Sequence, residues 1–296
     1  EVLRKRALAP LWRALFIGLA LAAPSFAAPA PNAPPPLAQV GKPNAAQAKE
    51  ILEQFRQSGI PGQFFATFEL QVLPRRGETV VFRGRWWGSR NDKGAISRVE
   101  LTDAAGQMRR LLLQNGDSPA VWRFADGKMA QLGIGAMFEP VIPGVEITAF
   151  DLEMPFLYWP DATVESVARI RGRPANAFLF MAPAAFTAQK PDLVAVRAYL
   201  DQQFNALTQF ELLGAKRNVV KTFSLIDLKR VTKPGGGEQM IPKSFDLRNE
   251  LTRDKTRLQI TGVALDLDLS PTVFEPATLA EDVRAPAMER IVRIDP

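Results

Sequence analysis

Three carboxylates near the middle of the chain are the residues best suited to acid–base chemistry. Asp151, Glu153 and Asp161 flank an aromatic segment. A pair of carboxylates can supply a general acid and a general base, or the acid and nucleophile of glycoside hydrolysis. Closeness in sequence does not establish closeness in space, and acids in loops are commonly solvated. An enzyme is therefore the last of three functional hypotheses, and it predicts a hydrolysis that Asp151→Asn abolishes.

The composition removes most other catalytic chemistry. The 296 residues include no histidine and no cysteine. Ser-His-Asp and Cys-His nucleophiles, His or Cys metal sites, thiol redox centres and disulfides are therefore excluded. We expect no cofactor and no metal site, and oxygen-ligated cations remain the one open alternative.

The N-terminus has the three parts of a secretory signal peptide. Basic residues at positions 4–6 and 13 precede an apolar run, and Ser25-Phe26-Ala27 places small residues at the −3 and −1 positions of a cleavage site. A membrane anchor is the alternative, but the uncharged run is shorter than the roughly 20 residues that span a bilayer. We therefore predict a signal peptide over residues 1–27. The mature protein is expected in the periplasm, without a lipid anchor because no Cys follows the signal.

The charge gives no reason to expect nucleic acid as a partner. The formal net charge is +6, but residues 1–27 contain four basic residues and Glu1, so the mature chain carries about +3. The sequence also has no basic stripe with interleaved aromatic residues. Residues 28–43 are rich in Pro and Ala and predict an extended linker.

The patterns that follow predict one mainly β (α+β) domain over residues 44–280, with residues 281–296 as a C-terminal tail. Asn44 is a candidate N-cap for a helix over residues 45–57. Short alternating segments separated by turn sequences then occupy residues 63–125 and 163–274. The first of them, residues 63–73, alternates with an offset that a bulge absorbs. Connections this short predict an antiparallel meander with one apolar face.

Residues 133–160 interrupt this alternation. The segment contains several prolines and concentrates methionine and aromatic side chains. We predict loop and short helix here, with a helical piece over residues 147–157 that is interrupted at Pro155. The segment either caps an ordinary core or forms a movable lid over a cavity, since Met and aromatic side chains adapt to variable apolar ligands.

Several short motifs resemble the LolA/LolB-like family of periplasmic outer-membrane lipoprotein-sorting proteins. Residues 48–52 resemble its opening helix, and residues 144–152 occupy the place of its lid segment, although they lack its Thr-Asp-Phe. Arg171-Gly172-Arg173-Pro174 resembles its x-G-x-P turn, and residues 221–231 resemble its K-x-x-x-x-x-D-x-K-x-V strand. Ile241-Pro242-Lys243 and residues 270–274 resemble the entry to a later strand and the closing motif.

The resemblance implies a fold and a role. The fold is an unclosed antiparallel β-barrel, that is, a strongly curved sheet, with an N-terminal helix and a helical or loop lid over a hydrophobic cavity. The role is that of a periplasmic carrier, not an enzyme, which binds acyl chains of lipoproteins or phospholipids and takes part in outer-membrane lipoprotein sorting. Inner- and outer-membrane sorting components are the implied partners.

Alternation selects the candidate lining of the cavity. The sheet residues are Phe64, Phe68, Leu70, Phe82, Trp86, Val99, Leu101, Leu111, Leu113, Trp122, Phe124, Phe178, Phe180, Phe210, Phe245 and Leu247. The lid residues are Met137, Phe138, Phe150, Met154, Phe156 and Leu157. Each of them also fits an ordinary core side chain that contacts no ligand. The remaining hypothesis is a regulatory or interaction module of the same fold, whose concave face binds an envelope protein or peptide.

Overall fold

A computed structural model describes residues 41–295, so the predicted signal peptide and most of the linker lie outside the described residues. The described part begins with helix α1, Ala45–Gln57, which has the predicted bounds. A capping box starts this helix. The Asn44 side chain accepts a hydrogen bond from the Gln47 amide (3.0 Å), and the Gln47 side chain accepts one from the Asn44 amide (2.9 Å).

Fourteen strands form one sheet. They are β1 (Gln63–Leu73), β2 (Val80–Asn91), β3 (Gly94–Thr102), β4 (Met108–Gln114), β5 (Ala120–Ala125), β6 (Lys128–Gln131), β7 (Ala162–Ile170), β8 (Arg173–Met181), β9 (Ala195–Asp201), β10 (Leu207–Leu213), β11 (Val219–Thr232), β12 (Glu238–Asn249), β13 (Lys255–Leu267) and β14 (Val292–Arg293). Two short helices, α2 (Ala149–Glu153) and α3 (Ala184–Gln189), complete the regular structure together with five 3₁₀ turns. No helix among residues 41–295 is long and apolar enough to cross a bilayer.

The sheet consists of two antiparallel meanders joined along one seam. Strands β1–β6 form the first meander and β7–β13 the second, while β1 pairs with β13 at the seam. No strand pairing joins the outermost strands β6 and β7 within the described residues, so the barrel is unclosed. The register slips on β1 at Thr67/Phe68, which is the bulge that the sequence predicts. The predicted fold class is confirmed.

Both faces of the sheet are covered. The inner face carries the large apolar cluster and is covered by residues 133–160, which we call the lid segment, and by α1. The outer face carries a smaller apolar surface around Phe65, Trp87 and Leu112. Residues 270–295, which we call the strap, cover this outer surface with Val273 and Leu279, and β14 adds to the edge of β13.

A buried ion-pair network fastens the strap to the outer face. Arg98 on β3 is fully buried and donates two hydrogen bonds to the Glu100 carboxylate (2.9 and 3.1 Å). Its guanidinium also donates to three strap carbonyls, those of Thr278 (3.2 Å), Leu279 (3.3 Å) and Glu281. Arg110 reaches the same Glu100 carboxylate at 3.3 Å and pairs with Asp282 of the strap. The charges are therefore compensated inside the fold, as buried charges must be.

We expect Arg98→Ala to destabilise the protein by about 3–5 kcal/mol, the usual cost of removing one partner from a buried ion pair. Glu100 would lose one of its arginine partners, and three strap carbonyls, those of Thr278, Leu279 and Glu281, would lose their donor. Urea unfolding measures the effect, with Arg83→Ala as the matched control because the Arg83 side chain is 83% exposed on the same face of the sheet. Equal unfolding midpoints for the two variants would contradict this account of the strap.

Candidate functional site

The inner face brings together most of the predicted cavity residues. Fourteen of the sixteen sheet residues belong to the large apolar cluster, with Phe64, Trp86 and Phe245 at its half-buried margin. All six predicted lid residues belong to the same cluster, with Phe138 and Met154 at the margin. Cross-strand pairing explains the arrangement, because partners such as Phe68 and Gly84 lie on the same face of the sheet.

The prediction was wrong for Trp122 and Phe124, which lie on the outer face. In the pairing of β4 with β5, Leu113 opposes Val121 and Leu112 opposes Trp122. Val121 is therefore the inner residue of β5, whereas Trp122 and Phe124 pack with the outer cluster beneath the strap. The sequence favoured the bulkier residues of β5 for the inner face, but the outer face of the sheet carries an apolar surface of its own, of which they form part.

The lid segment contributes a run of aromatic side chains to the inner face. Phe150 of α2 is fully buried and stacks on Phe138 at a ring-centroid distance of 4.5 Å. Phe156, in a 3₁₀ turn, lies 5.0 Å from Phe210 of β10. Phe210 in turn stacks on Phe223 of β11 at 4.7 Å. The aromatic contacts are therefore continuous from the lid segment into the sheet, which stabilises the closed arrangement beyond simple burial of area.

A bend divides the lid segment after α2. Met154 adopts a left-handed backbone with φ of 52°, an uncommon conformation for a residue with a side chain. Pro155 begins the following 3₁₀ turn, Pro155–Tyr158. The predicted helical piece over residues 147–157 is thus present as two short pieces separated at Met154-Pro155.

Little space remains between the lid segment and the sheet. A cavity of about 10 Å³ lies among Phe68, Leu70, Trp86 and residues of the lid segment such as Ile147 and Leu152. This volume is at most the size needed for one water molecule. The lid segment itself therefore fills the inner face, and an acyl chain would fit only where lid side chains move away.

A small number of polar contacts hold the lid segment in place. Arg56 of α1 donates twice to the Leu157 carbonyl, at 2.6 and 2.8 Å. The Glu146 amide donates to the Thr256 hydroxyl at 2.8 Å, and the Glu146 carboxylate accepts from Asn249 at 3.3 Å. Most of these contacts are half-buried and sit at the margins of the lid segment.

Asp151 and Lys221 form a buried ion pair between the lid segment and the sheet. Asp151 is also the third residue of α2, where its carboxylate accepts hydrogen bonds from the amide and hydroxyl of Thr148, both at 2.8 Å. Asp151 therefore caps the helix and fastens it to β11. The spacing Thr148-x-x-Asp151 is a capping-box signal that the sequence already contained.

Glu153 is the one buried carboxylate of the lid segment with no partner at either oxygen in the described structure. Its residue is only 2% exposed, and burial raises the pKa of Glu153 to about 8. The carboxyl is therefore neutral at pH 7 while the lid segment is closed. Asp161 is exposed at the start of β7. None of the three central carboxylates lines the cavity beneath the lid segment.

Several residues of the inner face, and all of its polar contacts, were not predicted from the sequence. Val145, Ile147 and Trp159 of the lid segment are buried in the cluster, and so is Phe223 of β11. The alternation of β11 contained the signal for Phe223. The pairing of Lys221 with Asp151 depends on where the lid segment crosses the sheet, which no local pattern specifies.

We expect the stability gained by Glu153→Gln to grow as the pH rises from about 4.5 to 8. The unfolded chain releases the Glu153 proton near pH 4.5, whereas the folded chain keeps it to about pH 8. The wild-type protein therefore loses stability across this window, by an amount on the order of 4 kcal/mol, while the Gln variant does not. Urea unfolding at pH 5 and pH 8 measures the difference.

The control is Glu78→Gln, because the Glu78 carboxylate is exposed in the folded protein. A difference between Glu153→Gln and wild type that is the same at both pH values would contradict the assignment of a neutral, buried carboxyl.

Comparisons with known proteins bear on the fold. No protein-family model matches the chain, and no curated protein matches it by sequence. Among solved structures, an outer membrane lipoprotein-sorting protein domain from Vibrio parahaemolyticus is similar with a TM-score of 0.65 at 12% identity, over 80% of this chain and 99% of that one.

Two further solved structures are similar over most of their length. A DUF1329 family protein from Desulfovibrio piger has a TM-score of 0.64 at 10% identity, over 79% of this chain and 98% of that one. A LolA superfamily protein from Nitrosomonas europaea has a TM-score of 0.57 at 15% identity, over 77% and 97%. Identities this low establish the fold alone. The chain therefore has the LolA-like fold that its motifs resemble.

Proposed function

We propose that this protein is a periplasmic carrier that binds acyl chains of lipoproteins or phospholipids on the inner face of its sheet and takes part in outer-membrane lipoprotein sorting. The observation that carries the proposal is the way the inner face is covered. One continuous segment of aromatic and aliphatic side chains fills it, and that segment is held by polar contacts at its margins and by the single buried ion pair Asp151–Lys221. No catalytic step is part of the proposal.

The lid segment and an acyl chain compete for the same apolar surface. Burying each CH₂ group yields about 0.8 kcal/mol, so a chain of about 16 carbons needs an apolar enclosure to cross water. When the lid segment moves aside, an acyl chain takes over the burial of residues such as Phe68, Leu101 and Phe210. The exchange keeps the inner face out of water in both states, so the free-energy cost of opening is small.

The sequence supports the proposed periplasmic location, and the fold supports the proposed role in sorting. The predicted signal peptide supports export to the periplasm, where an acylated cargo has to pass between two membranes. Two fold neighbours are an outer membrane lipoprotein-sorting protein domain and a LolA superfamily protein. We propose sorting components of the inner and outer membranes as donor and acceptor of the cargo.

Linking the lid segment to the sheet should stop lipid uptake. The chain has no cysteine, so the variant Glu146→Cys/Asn249→Cys offers one pair of thiols, at two side chains in contact across the lid margin. A short bis-maleimide that joins them should lower uptake of a fluorescent phospholipid or acylated peptide by at least about tenfold, since the lid segment then blocks the inner face.

The same double variant treated with a monofunctional maleimide is the matched control, and it should retain uptake. Circular dichroism confirms that both samples are folded. Equal uptake by the linked and unlinked proteins would show that cargo does not enter beneath the lid segment and would refute the proposed function.

A further inference from the structure

A polar groove of about 570 Å³ opens beside the lid segment, at the margin formed by β4, β5 and β6. Its volume lies within the range of small-molecule sites. The charged lining of the sheet side is Arg109, Arg123, Lys128 and one carboxylate, Asp126, and the lid side contributes Glu139 and Pro140. Neither the acyl-binding inner face nor the polar contacts described above account for this groove.

The groove continues directly into the apolar inner face. Arg109 precedes Leu111 and Leu113 by two and four residues on β4, so all three side chains lie on the inner face. Arg123 follows Val121 by two residues on β5 and opposes Leu111 across the pair. Arg109 and Arg123 therefore lie on the inner face of β4 and β5, next to apolar residues of the same strands that are buried beneath the lid segment.

The charges of the groove are only partly compensated. Arg109 is 3.2 Å from Asp103 and 4.0 Å from Asp126, so its charge is balanced within the sheet. Arg123 has its ion pair, at 3.1 Å, with Glu139 of the lid segment. Lys128 forms no ion pair within residues 41–295. If the lid segment moves away, Arg123 loses its partner and two cations face the groove together.

We propose that this groove binds the phosphate of an anionic lipid headgroup while the acyl chains of the same molecule lie beneath the lid segment. The inference rests on the proposed function and narrows its cargo to phosphate-bearing amphiphiles. Arg123 can bind two phosphate oxygens through its guanidinium fork, and Lys128 adds a second positive charge. The phosphate takes the place of the Glu139 carboxylate, so headgroup binding releases one fastening of the lid segment.

Two single variants break the same ion pair and separate a headgroup site from a simple lid fastening. Arg123→Gln removes the cation that would bind phosphate, whereas Glu139→Gln removes its competitor and leaves Arg123 free. If the pair only fastens the lid segment, both variants accelerate lipid uptake. If Arg123 binds the headgroup, Glu139→Gln strengthens binding of an anionic phospholipid and Arg123→Gln weakens it.

The probes are fluorescent phosphatidylglycerol and fluorescent diacylglycerol with identical acyl chains, each delivered from phosphatidylcholine vesicles. We expect Arg123→Gln/Lys128→Gln to weaken phosphatidylglycerol binding about tenfold, which corresponds to about 1.4 kcal/mol. Diacylglycerol binding should stay within about twofold of wild type, because its headgroup carries no charge. Arg83→Gln is the matched control, since the Arg83–Glu69 pair (3.3 Å) is a similar ion pair on the outer face.

Other results would overturn the proposal in distinguishable ways. An equal loss for both lipids, or no loss for either, refutes the headgroup site while leaving acyl binding in place. Failure of the wild-type protein to bind either lipid refutes the proposed function and this inference together. Calorimetry with inorganic phosphate tests the remaining source of the same chemistry, because free phosphate bound as tightly as phosphatidylglycerol would make the groove a phosphate site and refute the lipid assignment.

Discussion

The structure depends on keeping the inner face of a large, unclosed sheet out of water. Residues from both meanders contribute apolar side chains to this face, and no strand pairing within the described residues closes the barrel around it. Exposed apolar area of this size would drive association or misfolding. The lid segment solves the problem from within the chain, because the connection between the two meanders is itself the cover. Its aromatic contacts, its capped helix and its bend at Met154 all serve that position.

The two faces of the sheet are covered by different physical means. On the outer face, the fully buried Arg98, paired with the buried Glu100, joins the strap to the sheet through hydrogen bonds to strap carbonyls. On the inner face, most polar contacts of the lid segment lie at its margins, the Asp151–Lys221 pair is its one buried ion pair in the described structure, and its buried Glu153 has no partner there. Removing the strap would leave several buried charges and carbonyls without partners, whereas moving the lid segment breaks one buried ion pair, Asp151–Lys221, and otherwise mainly exchanges one apolar contact for another. The fold therefore has one permanent cover and one that is suited to exchange.

The sequence is sufficient for the local structure and for most of the inner face. Alternation placed β1 at residues 63–73, including its bulge, because a strand with one buried face has a strict period of two. The same rule failed for Trp122 and Phe124, since alternation divides a strand into two faces without saying which one is inside. The ion-pair partners of Lys221 and Glu139 could not be predicted from the sequence either. Those contacts depend on the path of a segment without periodicity across a sheet built from distant parts of the chain.

The seam between β1 and β13 differs from the other strand pairs because its two strands are far apart in the chain. Every other strand pair of the described sheet joins neighbours along the chain, so both meanders can form from local hairpins at low loop-closure cost. Only the seam brings together positions as distant as Phe65 and Ala264. Contacts of such high sequence separation slow folding, so each meander should be structured before the seam zips. Because the lid segment is the sole covalent link from β6 to β7, a chain divided within it would yield two complementary halves that reassemble along this seam.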